Sequence, residues 1–181
     1  MVKNPKGSFS EHWVFKNKEF FDIMDVDENG KVTEEEFIDS STERAEQVLP
    51  SWRAKAVHGI LSNAYHLWWS NEYNNYSKSI PFQEKLQTEE VELPITREKI
   101  VKSGNDWLGA FDLDCDSKLM VDEYSNFLTF FRNTGKVQDI FDAVDWNKDG
   151  VIDTNEFIDG FEDFWVGQEP SSSDVFFGTR Y

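Results

Sequence analysis

Three twelve-residue stretches of this chain repeat one spacing of oxygen-bearing side chains: Asp25–Glu36 (DVDENGKVTEEE), Asp112–Glu123 (DLDCDSKLMVDE) and Asp145–Glu156 (DWNKDGVIDTNE). Each opens on an aspartate, carries Asp or Asn at its third and fifth positions and closes on a glutamate. An aromatic follows at once: Phe37, Tyr124 and Phe157. That is the ligand spacing of a calcium loop held between two helices, the EF-hand. Ca²⁺ is a large, hard cation that takes six to eight oxygens. Side chains serve at positions 1, 3 and 5, a main-chain carbonyl at 7, often a water at 9, and both oxygens of a Glu at 12. One such match in an acidic chain is weak. Three, each followed by an aromatic, commit the chain to helix–loop–helix units.

In the first loop Asp25, Asp27 and Asn29 are the expected side-chain ligands. Lys31 offers its carbonyl, Thr33 can hold a water, and Glu36 closes the site. Gly30 supplies the positive φ that position 6 demands. In the last loop Asp145, Asn147, Asp149, Val151, Asp153 and Glu156 fill the same roles, with Gly150 at the turn. The middle loop offers Asp112, Asp114, Asp116, the Lys118 carbonyl and Glu123, and departs from the pattern twice. Ser117 replaces the glycine, at about 1 kcal/mol if it turns left-handed. Met120 at position 9 cannot hold a water. Four carboxylates weigh against these losses, so this loop too is expected to bind. The expected complement is three Ca²⁺ ions, with Mg²⁺ as a competitor.

The chain has 35 acidic and 18 basic residues, a net charge of −17. Part of that surplus is loop carboxylates that repel one another until a cation arrives. Such acidity argues against a nucleic-acid partner, which needs a basic face. The start, MVKNPKGSFS, lacks the apolar run of a secretory signal. Val2 excludes N-myristoylation. No apolar run is long enough to span a membrane. Cys115 is the single cysteine, so no internal disulfide is expected. These features predict a cytoplasmic protein whose partners are metal ions, with no nucleic acid, membrane or obligatory protein partner. His12, His58 and His66 lack zinc-ligand spacing and read as helix-surface residues. No catalytic triad, phosphate loop or paired catalytic carboxylates occur, so no enzyme is expected.

The predicted fold is all-α: four EF-hand units in two pairs, compact, with the second hand degenerate. Residues 93–181 hold hands 3 and 4 and a docking tail; residues 1–92 hold hand 1 and a silent partner. The best candidate for that partner is Tyr73–Glu84 (YNNYSKSIPFQE), with Ile80 at position 8 like Val32, Leu119 and Ile152. Tyr73 stands where an acid is needed, and Glu84 alone cannot hold an ion. A second register, with Ile95 at position 8, puts Lys99 at position 12. Helices are predicted over 15–24, 35–47, 52–72, 96–111, 123–132, 137–144 and 155–166. In the tail Val175, Phe176 and Phe177 are expected to dock inside, leaving 171–174 as a solvated strap. The 16 Phe and 7 Trp can fill a large core, and the Trp68-Trp69 pair reads as part of it.

Ser10-Glu11-His12-Trp13-Val14, the Lys16 and Lys18 pair and Phe20-Phe21 ahead of Asp25 resemble the first helix of the invertebrate sarcoplasmic calcium-binding proteins. The likeness covers nearly the whole chain. An active–silent–active–active order of hands is similar to that family and, more distantly, to the calcium-triggered photoproteins. Asp163-Phe164-Trp165 and Val175-Phe176-Phe177-Gly178 resemble both C-termini. The sarcoplasmic resemblance implies a compact Ca²⁺/Mg²⁺ buffer with two EF-hand pairs folded face to face. The photoprotein resemblance implies an aromatic cavity that holds coelenterazine peroxide with Tyr, His and Trp groups. Here Asn17 and Phe161 stand where that group has His, Phe176 where it has Tyr, and Tyr181 where it has Pro; Trp165 matches. The groups that carry the chemistry are replaced, while the cavity-forming aromatics persist.

A calcium sensor opens a Met-rich groove to target helices. Met1, Met24 and Met120 are the only methionines, one at the start and one in a loop. Stiff aromatics suit a closed interior instead. The expected function is therefore an intracellular calcium buffer. The alternatives are a photoprotein-like or luciferin-binding protein, holding a small hydrophobic ligand between its lobes, and a sensor.

Overall fold

A computed structural model describes residues 9–65, 79–82, 97–133 and 135–178. Helix α1 spans Glu11–Met24, four residues longer than its apolar pattern predicts. The cause is Ser10, whose Oγ accepts from the Trp13 N–H at 3.0 Å, with Glu11 in the first turn where the helix dipole favours an acid. After the first loop the chain winds as a π-helix over Glu35–Ser40 and continues as α2, Ser41–Val48. Helix α3 follows Pro50 over Ser51–Ala64. Its expected continuation to 72, with His66, Trp68 and Trp69, lies outside the described residues, as do Tyr73 and Glu84. Next come α4 (Arg97–Phe111), α5 (Val121–Phe130), α6 (Val137–Val144) and α7 (Thr154–Val166). Helix α5 begins two residues before the expected Glu123, because Glu123 Oε2 reaches back to accept from the Met120 N–H at 2.9 Å. No helix among the described residues is long and apolar enough to cross a membrane.

Two short antiparallel ribbons join the loops. Strand β1 (Lys31–Thr33) pairs β2 (Ser79–Pro81) with Val32 opposite Ile80. Strand β3 (Lys118–Leu119) pairs β4 (Ile152–Asp153) with Leu119 opposite Ile152. The apolar residue at position 8 sets each register. The Ile80 register is therefore the one that pairs; Ile95 lies outside the described residues.

The core is a continuous cluster of aromatic and aliphatic side chains from every helix. Helix α4 lies so close on α7 that a Cβ on Gly104 would meet Ile158 Cδ1 at 2.5 Å. The tail enters this core. Phe176 and Phe177 are buried, Val175 is half-buried, and Tyr124 Oη donates to the Phe176 carbonyl at 2.6 Å. Trp13 and Trp107 are buried too, but Trp52 and Trp146 are 65% and 64% exposed, against the expectation that tryptophans build the core.

The expected solvated strap is in part an anchor. Ser172–Val175 forms a 3₁₀ turn, and Asp174 Oδ1 lies 3.0 Å from His12 Nε2 and 3.7 Å from Lys16 Nζ. Helix α1 also caps the end of α7. Trp13 Nε1 donates to the Trp165 carbonyl at 2.8 Å and Lys16 Nζ to the Asp163 carbonyl at 2.9 Å. Ser10 adds two bonds to Gln168. The Asp163 carbonyl also accepts from the Gly167 N–H at 2.8 Å, so Lys16 is its second donor, while Trp13 serves the Trp165 carbonyl, in the turn where intrahelical donors run out. Burial lowers the Lys16 pKa, with Asp174 and Asp163 opposing.

Candidate metal centres

The three acidic loops fold alike, atom by atom. In each, the N–H of position 5 donates to one oxygen of the opening aspartate: Asn29 to Asp25 at 3.1 Å, Asp116 to Asp112 at 3.2 Å, Asp149 to Asp145 at 3.2 Å. The N–H of position 6 donates to its other oxygen, from Gly30 at 2.8 Å, Ser117 at 2.9 Å and Gly150 at 3.0 Å. Position 5 in turn accepts from the N–H of Lys31, Lys118 and Val151, at 2.9, 2.9 and 3.1 Å. These are Asx-type turns, in which a short acidic or amide side chain bonds the backbone just ahead of it. They wrap the loop around the spot on which the oxygens converge.

The closing glutamate completes each ring. Glu36 Oε1 accepts from the Val26 N–H at 2.9 Å and Oε2 from Thr33 at 2.9 Å. Glu123 accepts from Leu113 and Met120, and Glu156 from Asn147 and Asp153. The opening Asp and closing Glu are buried in every loop, whereas positions 3 and 5 face solvent. Carboxylate oxygens of Asp25, Asp27 and Glu36 lie within 4.8 Å of one another, as do those of Asp112, Asp114 and Glu123, and of Asp145, Asp149 and Glu156. Asn29 and Asp116 join these sets through the turn bonds above, and Asn147 Oδ1 accepts from the Asp149 N–H at 2.8 Å.

Three carboxylates this close repel unless a cation sits among them. The donors are all oxygens, with no His or Cys in any set, which selects a hard ion such as Ca²⁺ or Mg²⁺. The residues fit such an ion: Asp and Asn side chains and the closing Glu would hold it, and the ion would offset their mutual repulsion. Position 9 differs between loops. Thr33 Oγ1 donates to Glu36 Oε2 at 2.8 Å, and Asp153 caps α7 by accepting from Asn155 and Glu156. Met120 offers no oxygen and is 46% exposed. Ser117 does adopt the left-handed conformation, with φ 67°, beside Gly30 at 82° and Gly150 at 87°. Cys115, at position 4, is exposed.

Sequence spacing missed the arginines that brace these loops from elsewhere. Arg132 Nη1 donates to the Ile23 carbonyl at 3.3 Å, just ahead of Asp25. Arg44 Nε donates to the Phe130 carbonyl at 3.1 Å, and burial, then the nearby Arg132 charge, pulls its guanidinium down to about 10. Arg53 reaches the middle loop itself, Asp112–Glu123, which is the loop of the third hand and so the third loop, the last being loop four. Of the three only Arg53 is buried; Arg44 is half-buried and Arg132 exposed.

A family model described as an EF-hand domain pair matches residues 133–163, the segment that carries the last loop. No curated protein matches the chain at a significant level. Solved structures match it over nearly their full length at low identity. The coelenterazine-binding protein from Renilla muelleri, in a calcium-loaded apo form, is 20% identical with a TM-score of 0.70, over 92% of this chain and 95% of its own. Okadaic acid binding protein 2.1 is 18% identical with a TM-score of 0.74, over 96% and 98%. A sarcoplasmic calcium-binding protein from amphioxus is 14% identical with a TM-score of 0.65, over 96% and 100%. The photoprotein clytin is similar as well. The chain thus has the fold these proteins share, and both resemblances read from the sequence reappear among them.

Proposed function

We propose that this EF-hand protein is a calcium buffer, taking up Ca²⁺ at three loops with Mg²⁺ as the competing ion. The observation that carries this reading is the filled interior. Phe177 packs against Phe131 at 4.6 Å and Phe164 at 4.7 Å between ring centroids, and Phe176 against Phe157 at 4.9 Å. The chain's own tail covers apolar surface that a sensor would offer to a target helix. Met24 is buried and Met120 stands apart in a loop, so no methionine-lined groove joins them. In this reading residues 1–92 hold one active and one metal-free hand, and 93–181 hold two active hands. The ligands are those named above, including the Lys31, Lys118 and Val151 carbonyls. The buffer works in the cytoplasm, catalyses nothing, and needs no nucleic acid, membrane or protein partner.

A second reading, a carrier of a small aromatic ligand, draws on one atom. Asn17 Oδ1 is buried and has no hydrogen-bond donor among the described residues, while its amide donates to the Trp13 carbonyl at 3.0 Å. The fold likeness to proteins named for coelenterazine and okadaic acid points the same way. Two titrations separate the readings. ANS fluorescence should fall when calcium is added to the apo protein; a large rise would mean an opening groove and defeat the buffer. Coelenterazine should leave tryptophan fluorescence unchanged at micromolar concentrations and give no flash with calcium. Saturable quenching would favour the carrier, and a flash would restore photoprotein chemistry despite Asn17, Phe161 and Phe176.

A further inference from the structure

We propose that Arg53 is a positioning residue of the third calcium loop, so that ion affinity at Asp112–Glu123 depends on helix α3 in the first half of the chain. The inference rests on the reading of that loop as a calcium site. Arg53 lies in the first turn of α3 and is 3% exposed. Its Nη1 donates to the carbonyls of Gly109 at 2.5 Å and Ala110 at 3.4 Å, in the last turn of α4. Its Nη2 donates to the carbonyl of Leu113 at 3.3 Å and lies 3.3 Å from Cys115 Sγ. One planar fork therefore spans the joint at which the helix ends and the loop begins. Asp112, the first ligand, sits between the carbonyls it holds.

The chemistry explains why an arginine stands there. The last carbonyls of α4 have no intrahelical donors and form the negative end of the helix dipole. Among the described residues Arg53 meets no carboxylate; its charge is met by these carbonyls and by the Trp52 ring at 4.6 Å. A buried cation is tolerated only when its donors are well satisfied, so the fork is fixed in place.

The third loop has the greatest need of an outside brace. Its positions 4 and 6 are both left-handed without a glycine, at Cys115 (φ 65°) and Ser117 (φ 67°). Loops one and four pair one such residue, Glu28 or Lys148, with a glycine. Met120 supplies none of the side-chain bonds that Thr33 and Asp153 make within their own loops. The first loop receives a single arginine bond, from Arg132 to the Ile23 carbonyl, and among the described residues no arginine donates to a carbonyl of the last loop.

The test uses the full-length chain, ¹⁵N-labelled and titrated with CaCl₂. The amide signals of Gly30, Ser117 and Gly150 report the three loops separately. In Arg53→Met, which keeps bulk and loses the fork, the Ser117 midpoint should move to about tenfold higher calcium, the usual scale for losing a group that orients a metal ligand. The Gly30 and Gly150 midpoints should stay within about twofold. Arg53→Lys, with one charged donor in place of the fork, should fall between wild type and Arg53→Met, and it decides by the same criterion if Arg53→Met does not fold. An unmoved Ser117 midpoint overturns the proposal, and so does an equal shift of all three signals, which would mean general loosening. A wild-type Ser117 signal that ignores calcium would instead remove the calcium reading of the loop, and the proposal with it.

Discussion

Saturating calcium should raise the melting temperature of this protein by tens of degrees. Each loop crowds carboxylate oxygens within 4.8 Å of one another, and two of the acids in every set are buried. The apo protein carries that repulsion, and an ion removes it. A ligand that binds only the native state adds about 2.7 kcal/mol per independent site at a hundredfold excess over Kd, so three sites add roughly 8 kcal/mol. For a domain of this size about 1 kcal/mol moves the transition by roughly 2–4 °C. Calorimetry in EDTA and in excess calcium measures the difference. Glu156→Gln should cut the gain by about a third and the titrated stoichiometry from three ions to two. Both carboxylate oxygens of Glu156 converge on loop bonds, from Asn147 at 3.2 Å and Asp153 at 3.0 Å, and an amide can accept with only one. Four bound ions, or a transition indifferent to calcium, would contradict the reading.

Phe176→Ala should cost about 3–5 kcal/mol, the range for truncating a buried phenylalanine. Its ring is fully buried against Phe157, Phe127 and Tyr124. Helix α7 is shaped to receive it: a Cβ on Gly160 would meet Phe176 Cδ2 at 2.8 Å. The substitution also carries a pH signature. Burial pushes the Tyr124 phenol well above its ordinary value. Above about pH 10 the unfolded chain loses that proton while the folded chain keeps it. The folded state then holds more protons, so stability falls as pH rises through this window. Opening the site at 176 admits water to Tyr124 and should flatten that alkaline decline. Urea unfolding at neutral pH and above pH 10 reads both effects. A neutral-pH loss below about 1 kcal/mol would mean that the tail is not part of the core.

What the sequence discloses here is what acts over short range. Ligand offsets, the position 8 apolar residues and the turn glycines all lie within one loop; Leu119 pairs with Ile152, and Gly30 and Gly150 take positive φ, where their spacing predicts. The Ser10 cap is local as well, and weighing it would have started α1 at Glu11. The remainder depends on distance along the chain. Arg53 meets the third loop across 60 residues, and Arg132 reaches Ile23 across 109. No periodicity encodes such pairs. Trp52 and Trp146 mislead for a related reason. Hydrophobicity alone sends them inside, yet Trp146 occupies the outward-facing second position of its loop, as the exposed Val26 and Leu113 do, and Trp52 lies against the Arg53 guanidinium.

The bonds by which α1 closes the end of α7 set an order of events during synthesis. Helix α1 leaves the ribosome early, but the carbonyl that receives Lys16 Nζ lies 147 residues further on, and the one that receives Trp13 Nε1 lies 152 further. At roughly 15 residues per second that interval is about ten seconds. Throughout it Trp13 and Lys16 remain without their acceptors, and the first hand waits as an incomplete unit. Helix α1 is thus made long before it can be finished, and a nascent chain stalled before residue 163 lacks the surface that seals this helix.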